Sequence, residues 1–346
     1  MSKPSKDSEG RVSKQSKPGA ARVTKPSTQG DGRASPVPEG RANLLVVGSV
    51  ALDSVETPFG RADNVLGGSG TFFSAAASLL APVQLVGVVG KDYPMDQLEA
   101  LAKRGVDLAG VERADGYSFR WRGRYRHDLN SAETLETHLG VFSHFSPKIP
   151  AQFRSAPFVF LANIDPRLQL DVLRQVDKPK LVACDTMNFW IESRRSDLAE
   201  LLNHVDLITL NDGEARQLTD EFNLVRAARW ILARGPRHVI IKKGEHGAFM
   251  FTRDSIFFAP AYPLESVFDP TGAGDAFAGG FMGYLARSGD LSEASLRRAM
   301  IYGSALGSFA VEKFSVQRLL ELTPADVRAR VAEFQRLVAF EAELDG

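Results

Sequence analysis

From residue 43 onward the chain repeatedly sets a short run of aliphatic and β-branched residues ahead of a longer stretch with helical spacing of its apolar positions. The runs are LLVVGSVALD (44–53), VQLVGVVG (83–90), FVFLANI (158–164), KLVACD (180–185), DLITLN (206–211) and HVIIKKG (238–244). This order predicts an α/β fold, doubly wound, whose mostly parallel sheet carries helices on both faces. Several runs end in a polar residue: Asp53, Asp165 just beyond Ile164, Asp185 and Asn211. Ligands of open α/β sheets bind outside the carboxyl ends of the strands, so these ends are where a site is expected. Taken singly, each of these residues also suits a helix cap.

The segment SFRWRGRYRHDL (118–129) breaks the pattern. A period of two puts Phe119, Trp121, Tyr125 and Leu129 on one face and Arg120, Arg122, Arg124 and Arg126 on the other. The segment predicts a half-buried antiparallel strand, and with 54–66 and the rest of 116–139 it makes a small sheet projecting from the main domain. Two roles are open to the arginines. They form a solvated edge that discourages strand pairing, or one or two of them meet an anionic substrate.

Residues 1–41 are rich in Ser, Lys, Pro, Gly and Arg and contain no aromatic residue, so they predict a disordered basic tail ahead of a domain at 42–346. The tail lacks the apolar core of a secretory signal. It is a solvated extension, or a weak tether for anions. The whole chain of 346 residues is 44% hydrophobic and 24% charged, with 42 basic and 42 acidic residues. This balance points to a small-molecule partner, with no argument for specific nucleic acid or a membrane surface. A single cysteine, Cys184, excludes an internal disulfide and agrees with a cytoplasmic setting.

The densest candidate chemistry is FDPTGAGDAFAGG (268–280), which runs directly into FMGYLARSG. Pro270 fixes φ, and Gly272 and Gly274 permit close backbone approach. Amides of Gly272, Ala273, Gly274 and Asp275 at a helix N-terminus make an anion hole. Asp275 in the first turn is a carboxylate held beside the bound anion, suited to accept a proton while a phosphoryl group moves. Three further stretches corroborate this. Gly67 and Gly68 open a second small-residue helix in LGGSGTFFSAAASLL (66–80). Asn211 and Glu214 in NDGEARQL (211–218) stand where they would orient water bound to Mg²⁺. Gly244 and Gly247 make a tight turn in IKKGEHGAFMF (241–251).

The order GSVALD, GG, NDGE, KGEHG, DPTGAGD resembles the ribokinase-like, or phosphofructokinase-B, family of carbohydrate kinases over roughly residues 43–322. The resemblance implies a doubly wound domain with a small β-sheet lid, an ATP-dependent phosphotransferase acting on a hydroxyl, Mg²⁺ and, in many members, a monovalent cation such as K⁺. It implies Asp275 as the catalytic base, with Gly272, Ala273 and Gly274 as the anion hole. Asp53 would hold acceptor hydroxyls beside Gly67 and Gly68, with Asn163 and Asp185 at neighbouring strand ends. Asn211, Glu214 and Thr271 would belong to the nucleotide and Mg²⁺ side, Lys242, Gly244 and Gly247 to the ATP-side wall, and Asp269 to the monovalent-cation site.

One departure bears on the acceptor. Phe72 stands where many sugar kinases of the family carry an Asn after the glycine pair. An aromatic there, with Phe73, Trp121 and Tyr125, stacks on a nucleobase or else belongs to the helix core. The acceptor is accordingly a sugar or, as the alternative, a nucleoside of adenosine or cytidine type, on a monomer or homodimer. No G-x-G-x-x-G follows the first strand and no P-loop pattern occurs, which argues against a dinucleotide-dependent dehydrogenase or a P-loop enzyme. A sensor that kept the sugar site without catalysis is the further alternative, opposed by the intact Asp275, Asn211 and Glu214.

Overall fold

The computed structural model describes residues 43–339, so the expected basic tail lies outside the described residues. A nine-stranded sheet runs in the order Val106–Arg113, Val83–Val89, Leu44–Val47, Phe158–Leu161, Leu181–Asp185, Leu207–Asn211, His238–Lys242, Ala248–Phe251, Ile256–Ala259. It is parallel as far as His238–Lys242, and the last two strands are added by antiparallel pairing, each to the strand before it. The order reverses at Leu44–Val47, from which the chain winds outward through Val83–Val89 on one side and returns to Phe158–Leu161 on the other; such a switch point is where open α/β sheets bind ligands at the carboxyl ends of their strands. Each of the six expected runs supplies a strand. Val106–Arg113 was not expected, because at the sheet edge it exposes Asp107, Glu112 and Arg113 and never forms an apolar run. Ile256–Ala259, the opposite edge, is only four residues long.

Alternation along the strands divides the core. Leu44 and Val46 face one apolar cluster with the helices Ser69–Ala77, Ala273–Ser288 and Glu293–Ala310, while Leu45 and Val47 face a second cluster on the other side. The first cluster sets up the site. Helices Ser69–Ala77 and Ala273–Ser288 pack so closely that a Cβ on Gly279 would come within 2.4 Å of the Phe73 carbonyl oxygen. Glycine and alanine at this contact let two backbones touch, which brings both glycine-led N-termini to one place.

The run 44–53 is not a single strand. It breaks at Gly48–Val50, and Ala51–Thr57 leaves for a second sheet in the order Gly60–Gly67, Ala51–Thr57, Phe119–Tyr125, Ala132–His138. Phe119–Tyr125 is therefore an inner strand, parallel to Ala51–Thr57 and antiparallel to Ala132–His138. This corrects the expected antiparallel edge strand. Leu129 lies beyond it in a turn, at φ 51°.

The two faces of this sheet separate cleanly. Val55 is 1% exposed, and Thr57 Oγ1 donates to the Phe268 carbonyl at 2.8 Å, so their face looks into the main domain. Trp121 is in register with Asp53 on that face, and Gly123 with Val55. On the other face Arg120 pairs with Asp92 at 2.6 Å, Arg122 with Glu136 at 3.2 Å and Arg124 with Glu56 at 3.2 Å. Arg126, just past the strand, pairs with Glu133 at 3.0 Å. Such partly exposed pairs contribute little stability, about 0–1 kcal/mol each, but they occupy the arginines.

Candidate active site

The helix Ala273–Ser288 starts at Gly272, which sits at φ 73°, a left-handed conformation that glycine adopts without strain. A Cβ there would also collide with the Phe72 ring, 2.2 Å away. Phe72 is 1% exposed and supports the turn from below, which corrects its expected place in the acceptor pocket. The Ala273 amide is likewise not available, because it donates to the Pro270 carbonyl at 3.2 Å and closes the turn. The amides of Gly272, Gly274 and Asp275 take no partner among the described residues, which leaves three free donors at the positive end of the helix.

Asp269, 1% exposed, locks the approach to this turn. Its Oδ1 accepts from the Thr271 amide at 2.9 Å and its Oδ2 from the Ser315 amide at 3.0 Å. Ser315, at φ 59°, also donates its hydroxyl to the Leu66 carbonyl at 2.5 Å, tying the segment ahead of Gly67 to the same knot. Sequence reasoning missed Ser315, because its role depends on a contact across 249 residues. Burial raises the Asp269 carboxyl above its ordinary value, against the two amides that lower it.

Asp53 stands opposite, at 5% exposure. The Gly68 amide donates to its Oδ2 at 3.4 Å, and a Cβ on Gly67 would come within 2.0 Å of the same oxygen. Glycine at 67 is thus required for the carboxylate to be there at all. Burial pushes the Asp53 carboxyl up to about 7; the Gly68 amide opposes this, and Asp269 and Asp275 add to it. The four-stranded sheet reaches this corner: Thr271 Oγ1 donates to the Tyr125 hydroxyl oxygen at 3.4 Å, and the Trp121 ring lies over Gly123, where a Cβ would meet it at 2.0 Å.

Asp275 is half-buried in the first turn of its helix. Desolvation pushes its carboxyl up to about 7, the Asp185 charge adds to the rise, and the Lys242 ammonium opposes it. Lys242 Nζ lies 3.1 Å from Asp185 Oδ2, and a Cβ on Gly274 would come within 3.0 Å of that nitrogen. Lys242 therefore reaches the first turn of the helix Ala273–Ser288. Gly244 and Gly247 build that turn at φ 53° and 87°. Asp185 accepts from the Thr186 amide at 2.9 Å through Oδ1, so each of its oxygens has one partner within the protein.

Asn211 and Glu214 form a reciprocal cap. Glu214 Oε2 accepts from the Asn211 amide at 2.7 Å and Asn211 Oδ1 from the Glu214 amide at 2.8 Å. Glu214 Oε2 thus caps the helix, while Oε1 takes no partner among the described residues. Burial raises Glu214 to about 7, with Asp185 adding and Lys242 opposing. Asn163 is less available, because its Oδ1 accepts from Trp190 Nε1 at 3.0 Å. No cluster of three or more His, Cys, Asp or Glu suited to a metal ion occurs among the described residues. With Oε1 unpartnered, Glu214 is a side chain here that could hold Mg²⁺ through a water. No helix among the described residues is long and apolar enough to cross a membrane.

The family described as pfkB family carbohydrate kinase matches residues 42–322. A cytidine kinase of Thermococcus kodakarensis is 32% identical over 258 residues, covering 72% of this chain and 91% of that protein. A ribokinase of Haemophilus influenzae is 27% identical over 303 residues, covering 80% and 94%. The solved structure of a Burkholderia thailandensis nucleoside kinase in complex with inosine superposes with a TM-score of 0.69 at 22% identity, covering 86% of this chain and 99% of that one, a likeness of fold.

Proposed function

Because the chain belongs to the pfkB family of carbohydrate kinases, we propose that it transfers the γ-phosphoryl group of ATP to a hydroxyl of a nucleoside, with Asp275 as the base. Kinases of this family use ATP and generally require Mg²⁺. Bound to the phosphates, Mg²⁺ neutralises their charge and orients them.

Asp53 holds two hydroxyls of the sugar portion and so aims a third at Asp275. The Asp275 carboxylate takes the proton of that hydroxyl as its oxygen forms the new O–P bond, and the bridging P–O bond to ADP breaks. The amides of Gly272, Gly274 and Asp275 hold the charge that develops on the phosphoryl oxygens. Glu214 orients a metal-bound water, Thr271 and the turn at Gly244 and Gly247 border the nucleotide, and the Asp269 knot offers a place for a monovalent cation such as K⁺. Closure of the four-stranded lid excludes water.

The observation that carries the nucleoside assignment is the orientation of the lid strand. Trp121 and Tyr125 face Asp53 and Thr271, while every arginine of that strand is turned away and paired with a carboxylate. An aromatic wall suits a base, whereas a sugar phosphate needs a cationic pocket. The similarity to a cytidine kinase points the same way. ADP release and phosphorylated product should be measured with a panel of nucleosides, free sugars and sugar phosphates. Preference for nucleosides in kcat/KM is the expected result; turnover confined to free sugars or sugar phosphates would refute the nucleoside assignment.

A further inference from the structure

We propose that Asp185 is a positioning residue whose partner, Lys242, stabilises the phosphoryl group in transit, the ammonium being held against the first turn of the helix Ala273–Ser288. The proposal rests on the kinase reading above and adds to it a side-chain cation that works with the backbone amides.

The geometry comes from two strand ends and one helix. Asp185 closes Leu181–Asp185, Lys242 closes His238–Lys242, and Leu207–Asn211 lies between them, with Thr209 in register with Asp185 and Asn211 with Lys242. Partners in register share a face, so both side chains project on the side covered by the helix Ala273–Ser288. The 3.1 Å pair then spans the intervening strand, and Nζ stops 3.0 Å from the position a Cβ on Gly274 would take. Alanine at 274 would press on the ammonium, so glycine there admits the cation as well as the phosphate. The hydroxyls of Thr186 and Thr209 beside the pair are buried without a protein partner, and neither draws the ammonium away.

Charge explains why a lysine is needed. The charged groups that face Lys242 are Asp185, Glu214 and Asp275, three carboxylates around one ammonium. Lys242 is also the one cation acting on Asp275 or Glu214 among the described residues. The ammonium is the positive charge that a polyanion arriving among these carboxylates would meet, so it has to stay protonated and in place. A free lysine side chain samples many rotamers, and the Asp185 contact removes that freedom before ATP binds. With Oδ2 on the Lys242 ammonium and Oδ1 on the Thr186 amide, Asp185 acts on the reaction through Lys242. As the O–P bond to the acceptor forms and the bond to ADP breaks, the ammonium keeps its proton and donates hydrogen bonds to the moving phosphoryl oxygens.

The test is a double-mutant cycle in the full-length enzyme, with steady-state kinetics in ATP and its best acceptor, for Lys242→Met, Lys242→Arg, Asp185→Asn and the double variant Asp185→Asn/Lys242→Met. Lys242→Met should lower kcat on the order of 10²- to 10³-fold, as loss of a transition-state donor does, with acceptor KM nearly unchanged. Lys242→Arg should recover part of that loss. Asp185→Asn should lower kcat about tenfold in the wild-type background and add nothing in the Lys242→Met background, because a residue acting only through another is silent once its partner is gone. The double variant removes both members of the pair together, so it keeps the cycle measurable if Asp185→Asn alone folds poorly. Additive losses, an Asp185→Asn variant that raises acceptor KM while keeping kcat, or a Lys242→Met variant with kcat intact would each overturn the proposal. Absence of turnover in the wild type with every acceptor would instead overturn the kinase reading.

Discussion

Replacing Asp275 by Asn should make the protein more stable while removing its activity, and both effects follow from the same burial. The carboxyl is raised from 3.8 to about 7, chiefly by desolvation. At ~1.4 kcal/mol per unit that displacement corresponds to about 4 kcal/mol of cost for ionising Asp275 in the folded chain. Water reaching the half-buried side chain reduces it to about 1–2 kcal/mol. The sign is set by the folded state holding the proton more tightly than the unfolded state. The cost is absent below about pH 4, grows as pH rises, and is fully present above about pH 7. Asparagine is close to the same shape and carries no charge, so it escapes the cost. Thermal unfolding of wild type and Asp275→Asn should therefore differ by about 2–6 °C in favour of the variant at pH 8. The difference should shrink at pH 5.5. Turnover should fall on the order of 10²- to 10⁴-fold, the usual consequence of losing a general base. A variant that is less stable at pH 8, or whose advantage grows as pH falls, would refute the assignment of a desolvated base.

Other outcomes follow from individual contacts. The pH dependence of kcat/KM should show an acid limb below about pH 7, because Asp53 and Asp275 both bind protons at about that pH and both act as carboxylates; a profile flat from pH 8 to 5 would exclude both roles. Gly67→Ala places a Cβ within 2.0 Å of Asp53 Oδ2, so acceptor kcat/KM should drop by about 10² or more with the ATP site intact, read by nucleotide binding calorimetry. Trp121→Ala should weaken a nucleoside by about 1 kcal/mol, roughly fivefold in KM, and leave a free sugar unaffected. Arg122→Ala should change neither kinetics nor stability beyond about 0.5 kcal/mol, because its pair with Glu136 is solvated; a large loss of acceptor affinity would put that face in the site after all.

How much of this was legible in the chain follows from the range of each interaction. Strand runs, the two glycine-led helices and the order of motifs are local or statistical properties, so the sequence determines the doubly wound fold, the helix N-terminus with its αL glycine, and Asp275 in the first turn. Asn211 and Glu214 were readable for the same reason, since a capping box spans three residues. The period of two in 118–129 correctly separated aromatics from arginines, but alternation names two faces without saying which looks inward. That was decided by the parallel pairing with Ala51–Thr57, which sets Trp121 beside Asp53. Phe72 could not be told from a stacking platform until the helix Ala273–Ser288 was seen to rest Gly272 on its ring. Asp185, Lys242 and Ser315 depend on contacts across 57 and 46 residues, with no periodic signal in the sequence. Short-range hydrogen bonding and backbone conformational preference therefore wrote the motifs into the sequence. Close packing of distant backbones decided which polar groups the motifs would meet.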